Sequence, residues 1–277
     1  MSDSDAQRDS FAPDHPWDDA GQWLGDCRRS LGFLTRLPID RHIPLPPPAL
    51  AAAMRAFPLA GLVVGLVVGG ILVLAAWLGA PPAVAALIAV GAGLGLTGAL
   101  HEDGLADVAD GFGGGATRER KLEIMRDSRI GTYGVLALIL AVALKVVVFT
   151  ALAAQSVWLA VAVIVAAAAV SRVAPAGMMH LLAPARDDGL SADAGRPGLP
   201  TVIQAVALAT LISVLALWPI SLLMGLFVVP LSGLVGLLLV VSVAQGQIGG
   251  QTGDVAGASQ VMSELAILIA AVMVLTP

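Results

Sequence analysis

The sequence LHEDGLADVADGFGGGATRERKLEIMRDSRIGTYG, from Leu100 to Gly134, is the one long charged passage in an otherwise apolar chain. Read as a helix, its aspartates fall at positions i, i+4 and i+7 and project from one face. Like charges stacked in this way repel one another, which favours a bound divalent cation, and Mg²⁺ prefers such carboxylate oxygens. The passage therefore predicts a magnesium site with four candidate ligands: Glu102, Asp103, Asp107 and Asp110.

A basic cluster follows the carboxylates after a short glycine run. Guanidinium groups match phosphate oxygens, so Arg126 and Arg129 are predicted to bind phosphate. Acidic and basic clusters together predict metal-assisted chemistry on a phosphorylated substrate. The alternative is that the passage is only a solvated loop between two membrane spans. Its residue order fits neither an EF-hand nor a P-loop.

The composition on either side of this passage is that of a membrane protein. The chain has 277 residues, of which 57% are hydrophobic and 13% charged, and its mean hydropathy is +0.88. Soluble domains carry about a quarter charged residues. The predicted fold is all-α: a polytopic integral membrane bundle of about seven transmembrane helices. No basic surface with interleaved aromatic residues indicates nucleic acid.

The first part of the chain is polar, and residues 21–277 are expected to form a single transmembrane catalytic domain. Residues 1–20 are expected to be a disordered polar tail. Residues 21–37 fit an amphipathic helix at the membrane interface. Stretches of about 20 apolar residues then predict seven spans, at residues 56–79, 82–100, 132–154, 157–182, 200–217, 220–243 and 260–276.

The charges predict the orientation. Lys and Arg precede the first span and occupy the 101–131 passage, whereas the connections near residues 80, 155 and 218 have none. The positive-inside rule then places the amino terminus in the cytoplasm. Trp77, Trp158 and Trp218 fall at the opposite connections, as an aromatic belt would place them. Segments 101–131, 183–199 and 244–259 are expected to converge on the cytoplasmic face of the bilayer.

Charged residues in or near the spans are further candidates. Arg186 and Asp254 lie in the two other polar segments, and Glu264 is a carboxylate inside a span, which is costly and therefore a functional candidate. Arg172 either binds substrate or extends to the surface. Lys145 is equally compatible with an internal ion pair and with binding. His101 could position a hydroxyl, although a local hydrogen bond explains such a histidine as well.

Five elements in order resemble one family. They are FLTRLPI at 33–39, GALHEDGLADVADG at 98–111, IMRDSRIGTYG at 124–134, SRVAP with ARDDGL at 171–190, and GGQTGDVAGASQVMSE at 249–264. The chain is similar in these elements to cobalamin synthases, the adenosylcobinamide-GDP ribazoletransferases of bacterial inner membranes. Gln245 and Gln247 stand where members of that family often carry basic residues.

The resemblance implies a reaction and its partners. A hydroxyl of α-ribazole, or of its 5′-phosphate, attacks the phosphorus on the cobinamide arm of adenosylcobinamide-GDP, and GMP leaves, with Mg²⁺ expected. Asp103, Asp107 and Asp110 would hold the metal, and Arg126, Arg129, Arg186 and Arg172 would bind the pyrophosphate. Asp254, with Glu264, would complete the metal site or accept the proton, and the sequence leaves both roles open.

Two other classes of membrane protein are alternatives, a second type of transferase and a transporter. A CDP-alcohol phosphotransferase also carries spaced aspartates, and Asp107 to Gly111 fits the start of its motif, but no Ala-Arg follows. A transporter would place its acids along the membrane interior and is expected to show an internal repeat. A glycine ridge on the first span, Gly61, Gly65 and Gly69, predicts close helix packing and is compatible with a homo-oligomer.

Overall fold

The structure is a computed structural model that describes residues 18–39 and 49–275. The described residues form helices and contain one isolated bridge, Pro184 to Gln251, but no strand. The α-helices, in chain order, are α1 Asp18–Leu34, α2 Ala49–Ala53, α3 Phe57–Trp77, α4 Pro82–Thr97, α5 Leu100–Gly114, α6 Arg118–Ile124, α7 Thr132–Gln155, α8 Val157–Ser171, α9 Ala174–Leu181, α10 Leu190–Ala194, α11 Leu199–Leu217, α12 Val229–Ile248 and α13 Gly253–Leu275. A 3₁₀ turn, Met54–Ala56, precedes α3, and a π turn, Met224–Val228, precedes α12.

The predicted polytopic helical bundle is confirmed. Within the described part of the chain, six helical stretches are long and apolar enough to cross a membrane, or seven if the bent pair of α4 and α5 counts as one span. The six are Leu50–Trp77, Thr132–Gln155, Val157–Leu181, Leu199–Leu217, Met224–Ile248 and Gly253–Leu275. Most of the expected disordered tail, residues 1–17, lies outside the described residues, and α1 begins at Asp18.

Several boundaries differ from the sequence prediction, and two of them bear on the site. The last helix begins at Gly253 rather than near residue 260, because the Thr252 hydroxyl accepts a hydrogen bond from the Val255 N–H and caps it. Glu264 therefore lies about three turns into the helix, deeper than expected. The second predicted span ends at Thr97 instead of residue 100.

A sharp break separates α4 from α5. Gly98 and Ala99 both adopt the left-handed conformation, with φ of 65° and 54°, and the two helices meet at 90°. Ala99 is not glycine, so the turn is locally strained. The Arg36 side chain lies against Gly98, where a Cβ atom would stand 2.1 Å from its Nε, and the Arg36 N–H donates to the Leu96 carbonyl at 2.7 Å. The end of α1 thus supports the break that directs α5 away from the axis of α4.

The amino-terminal helix is fastened to the start of the first span. Asp26 is buried and accepts from Arg55 at 2.7 Å, while the Ser30 hydroxyl donates to the Ala53 carbonyl at 3.0 Å. The Arg55 guanidinium also stacks over the Trp23 ring at 4.3 Å. The predicted interfacial helix therefore packs on protein along one side.

The predicted packing of the first span is confirmed at its glycine ridge. A Cβ atom on Gly61 would lie 2.3 Å from the Ala168 carbonyl, and one on Gly65 would lie 2.8 Å from the Val165 Cα. These glycines let α3 and α8 approach closely at the centre of the bundle. Trp77, Trp158 and Trp218 are exposed at helix ends, where the sequence predicted an aromatic belt.

Candidate active site

The three polar segments converge, as predicted. The Ala185 N–H donates to the Gln251 carbonyl at 2.8 Å, and the Gln251 N–H donates to the Ala183 carbonyl at 2.9 Å, so two loops are joined backbone to backbone. Arg118 bonds both loops from α6, with its Nε donating to the Ile248 carbonyl at 2.9 Å and its Nη2 to the Ala185 carbonyl. Lys121 donates to the Gln247 side chain. A lysine of the 101–131 segment thus supplies positive charge at a position that has glutamine in place of the basic residue expected there.

The helix α5 crosses the start of α13 at very short range. A Cβ atom on Gly104 would lie 2.7 Å from the Asp254 carbonyl oxygen, so only glycine permits this crossing. The crossing places Asp103 and Asp107 beside Asp254, and Asp107 interacts electrostatically with Asp103, Asp254 and Asp110. Asp103 is exposed and Asp107 is half-buried. Asp254, which the sequence offered as a possible addition to the metal site, therefore joins the aspartates of α5 from a distant part of the chain.

A cavity of ≈ 160 Å³ opens beside these carboxylates and is lined by Asp103, His101, Asp254 and Arg186. The Arg186 Nη2 lies 3.8 Å from the Asp254 Oδ2, and its Nε lies 3.8 Å from the Asp188 Oδ1. Its Nη1 is buried and has no hydrogen-bond partner among the described residues. An unpaired buried guanidinium N–H is costly and is suited to an anionic ligand.

Asp110 has a different environment from the other aspartates of its helix. It is buried, and its two carboxylate oxygens accept from the Gly131 N–H at 2.7 Å and the Gly134 N–H at 2.9 Å. These amides belong to the start of α7, where a negative charge is favourable. A Cβ atom on Gly134 would stand 2.4 Å from Asp110, which explains the glycine there. Asp110 ties α5 to α7.

Asp103 and Asp254 line the larger cavity, but Glu102, the other type of predicted ligand, does not. Glu102 and Glu264 each contact the Lys145 Nζ at 2.9 Å, inside the bundle. The internal ion pair expected as one alternative for Lys145 is thus confirmed. Arg172 is 3% exposed, which excludes extension to the surface, and its Nη1 donates to the Ala168 carbonyl at 2.7 Å. We call Glu102, Lys145, Arg172 and Glu264 the buried quartet.

The buried quartet encloses a cavity of ≈ 40 Å³, and His101 lines both this cavity and the larger one. Gln260 extends the polar network, since its Nε2 donates to the Ser171 hydroxyl at 2.9 Å and to Glu264 at 3.2 Å. His180, at the end of α9, has its Nδ1 3.0 Å from the Pro197 carbonyl. His101 lines the cavity with the aspartates, whereas His180 does not.

The arginines predicted to bind pyrophosphate separate into three environments. Arg186 lines the cavity and Arg172 belongs to the buried quartet, whereas Arg126 and Arg129 are exposed. Arg126 donates to Asp188 at 2.7 Å, and Arg129 donates to Asp127 at 2.6 Å. Hydrogen bonds from Arg129 lower the pKa of the Asp127 carboxyl to about 2, and the same pairing raises the pKa of Arg129. Arg186 has the position best suited to a ligand in the cavity.

The donor set beside the cavity suits Mg²⁺ in kind, because carboxylate oxygens are its preferred protein ligands. Within the described ranges, no three His, Cys, Asp or Glu side chains already stand close enough to share a metal ion. The sequence analysis missed the apolar side of the cavity, which comes from α1, the turn before α3, and α9. Those residues are spread over the chain and look like ordinary core positions.

The fold and this site define a polytopic helical membrane protein with a carboxylate and arginine cavity, the arrangement of an enzyme that acts on phosphorylated substrates. The sequence model of the family described as Cobalamin-5-phosphate synthase matches residues 26–272. The chain belongs to this family.

Two named relatives are similar to this chain over most of its length. An adenosylcobinamide-GDP ribazoletransferase of Bradyrhizobium diazoefficiens is 47% identical over 249 residues, 90% of this chain and 93% of that protein. One of Azorhizobium caulinodans is 42% identical over 268 residues, 92% of this chain and 97% of that protein. No solved structure matches. These matches favour the family interpretation over the CDP-alcohol phosphotransferase and the transporter.

Proposed function

We propose that the chain is an adenosylcobinamide-GDP ribazoletransferase, which joins adenosylcobinamide-GDP to α-ribazole or its 5′-phosphate and releases GMP. The family match supports the reaction. The observation that carries the assignment of the site is the cavity lined by Asp103, Asp254 and Arg186, whose buried Nη1 has no partner among the described residues. Carboxylates and an unpaired guanidinium are what a pyrophosphate substrate requires.

The proposed reaction is a phosphoryl transfer. The ribose hydroxyl oxygen of ribazole forms a bond to the phosphorus on the cobinamide arm, and the bond from that phosphorus to the bridging oxygen of GMP breaks. The hydroxyl proton passes to a carboxylate, and GMP leaves with the bonding electron pair. Arg186 would bind a non-bridging phosphate oxygen, and Asp254, which lines the same cavity 3.8 Å from Arg186, is a candidate to accept the proton.

Magnesium is part of the proposal. Asp103, Asp107 and Asp254 would hold Mg²⁺, with Asp254 acting either as a ligand or as the base. The ion would supply positive charge to the phosphate oxygens. Asp110 and Glu102, the other predicted ligands, have partners of their own in the Gly131 and Gly134 amides and in Lys145.

The proposal also includes a location, the bacterial inner membrane, with the amino terminus and the cavity on the cytoplasmic side. The basic residues of segments 101–131 and 183–199 lie on the polar segments that converge at the cavity, whereas the three exposed tryptophans lie at the other connections. Nucleotide and ribazole would then reach the cavity from the cytoplasm.

The test is GMP release by the purified full-length protein in lipid nanodiscs, given adenosylcobinamide-GDP, α-ribazole and Mg²⁺. We expect release that requires all three additions, and we expect Arg186→Gln to raise KM for adenosylcobinamide-GDP. Asp187→Asn, one residue further on and exposed, is the matched control. A folded wild-type protein that releases no GMP with either form of ribazole would refute the proposal.

A further inference from the structure

We infer that the apolar side of this cavity binds the base of ribazole, a bicyclic aromatic ring with an apolar edge, and that the guanine of the other substrate stays outside. This inference rests on the proposed function, because it assigns one of the two substrates to one part of the same site.

The two sides of the cavity are chemically distinct, and each is continuous. Leu34, Leu50, Met54, Phe57 and Met179 line it and belong to a single buried apolar cluster. Phe33 lines it as well, and its ring stacks on that of Phe57 with centroids 6.1 Å apart. The charged residues come instead from α5, the start of α13 and the 183–199 segment. A ligand that fills the cavity therefore has one apolar end and one end that meets carboxylates and a guanidinium.

The volume limits the size of that ligand. Pockets that enclose a drug-sized molecule measure about 300–1,000 Å³, whereas this cavity measures ≈ 160 Å³. It accommodates a fragment such as one fused aromatic ring and excludes a corrin. The choice is therefore between the base of ribazole and the guanine of the nucleotide.

The chemistry of the lining separates these two bases. Guanine carries hydrogen-bond donors and acceptors along its edge, and burying them without partners is unfavourable. The apolar cluster offers side chains without hydrogen-bonding groups, apart from the weakly accepting thioethers of Met54 and Met179. The benzo edge of a benzimidazole carries no hydrogen-bonding group and needs no such partners, and methionine sulfur and aromatic rings suit a flat aromatic ligand. With this base against Phe33 and Met179, the ribose hydroxyl would face Asp103 and Asp254.

The test is steady-state GMP release with each substrate varied in turn, for wild type, Met179→Gln and Met178→Gln. Met179 lines the cavity, whereas its neighbour Met178 is fully buried in a different cluster of the core. We expect Met179→Gln to raise KM for α-ribazole about tenfold or more, with KM for adenosylcobinamide-GDP within about twofold. Folded Met178→Gln should keep the wild-type KM for α-ribazole. A rise in KM for adenosylcobinamide-GDP alone, or no change in either, would overturn the inference.

A second measurement needs no variant. Wild-type protein given ribosides of equal linkage, one with dimethylbenzimidazole and one with adenine, should show a kcat/KM at least about tenfold higher for the benzimidazole, because the polar edge of adenine would be buried without partners. Equal values would overturn the inference while GMP release still supported the proposed function. Absence of release with every acceptor would instead be a failure of the proposed function.

Discussion

Glu102 and Asp103 are neighbours in sequence and belong to two different charged regions. Glu102 joins the buried quartet, where Lys145 contacts two carboxylates at 2.9 Å each. Asp103 lines the open cavity, where the Arg186 Nη1 has no partner among the described residues. Glu102, Lys145 and Glu264 thus form close ion pairs inside the bundle, whereas Asp103 and Arg186 line an open cavity.

The largest expected effect is on stability, in the buried quartet. Lys145→Met removes the amine that contacts both Glu102 and Glu264 at 2.9 Å and leaves Arg172 as the remaining positive charge of the quartet beside two carboxylates. Breaking a buried pair in this way costs about 3–5 kcal/mol. We expect a loss of that size in the free energy of unfolding, measured by denaturant titration in mixed micelles. A variant as stable as the wild type would show that the quartet does not hold the bundle together.

The next effect is on turnover, in the open cavity. Asp254→Asn keeps the shape of the side chain and removes its charge, so we expect kcat to fall roughly 10²-fold or more, or about 3 kcal/mol. The unfolding transition should stay close to that of wild type. The exposed Asp187→Asn in the adjoining loop is the matched control and should keep its activity. Comparable turnover in both variants would remove Asp254 from the site.

Substitution of Asp110 is expected to have an intermediate effect, and to change stability more directly than turnover. Asp110→Asn replaces one of two oxygens that accept backbone N–H groups, at a cost of about 1–3 kcal/mol in stability. Gly134→Ala should have a similar effect, because its Cβ atom would stand 2.4 Å from the Asp110 carboxylate. Hydrogen exchange at the Gly131 and Gly134 amides would accelerate in both. Loss of turnover with unchanged exchange would instead restore Asp110 as a metal ligand.

The smallest effect is expected at the surface. Arg126 and Asp188 are both exposed, and such pairs contribute about 0.2–1 kcal/mol. Arg126→Gln should therefore leave the unfolding transition almost unchanged, and it should raise KM for adenosylcobinamide-GDP less than Arg186→Gln does. Measuring KM for adenosylcobinamide-GDP in Arg126→Gln and Arg186→Gln under the same conditions shows which arginine has the larger effect. A larger effect at Arg126 would place the pyrophosphate outside the cavity.

Much of the fold could be predicted from the sequence, because apolar stretches of span length are a direct requirement of the bilayer. The sharp turn at Gly98 and Ala99 could not, since a left-handed alanine has no local signal and Arg36, which packs against Gly98, comes from a distant part of the chain. For the same reason the apolar run of the second span gave no sign that its helix stops at Thr97.

The sequence predicted which residues lie near the site better than it predicted their hydrogen-bond and ion-pair partners. Helical spacing correctly placed Asp103 and Asp107 together, and the order of polar segments correctly brought Arg186 and Asp254 to them. Spacing could not show that Asp110 binds the amides of Gly131 and Gly134. Such pairings are set by tertiary packing, which local periodicity does not record.

The most direct test of the central claim compares Glu102→Gln with Asp103→Asn, by GMP release per folded molecule and by thermal unfolding in the same nanodiscs. We expect Glu102→Gln to unfold at a lower temperature and to retain turnover in its folded fraction. Asp103→Asn should unfold like wild type and lose most of its turnover. The reverse pattern, with turnover lost in a stably folded Glu102→Gln and kept in Asp103→Asn, would contradict the division between the buried quartet and the open cavity.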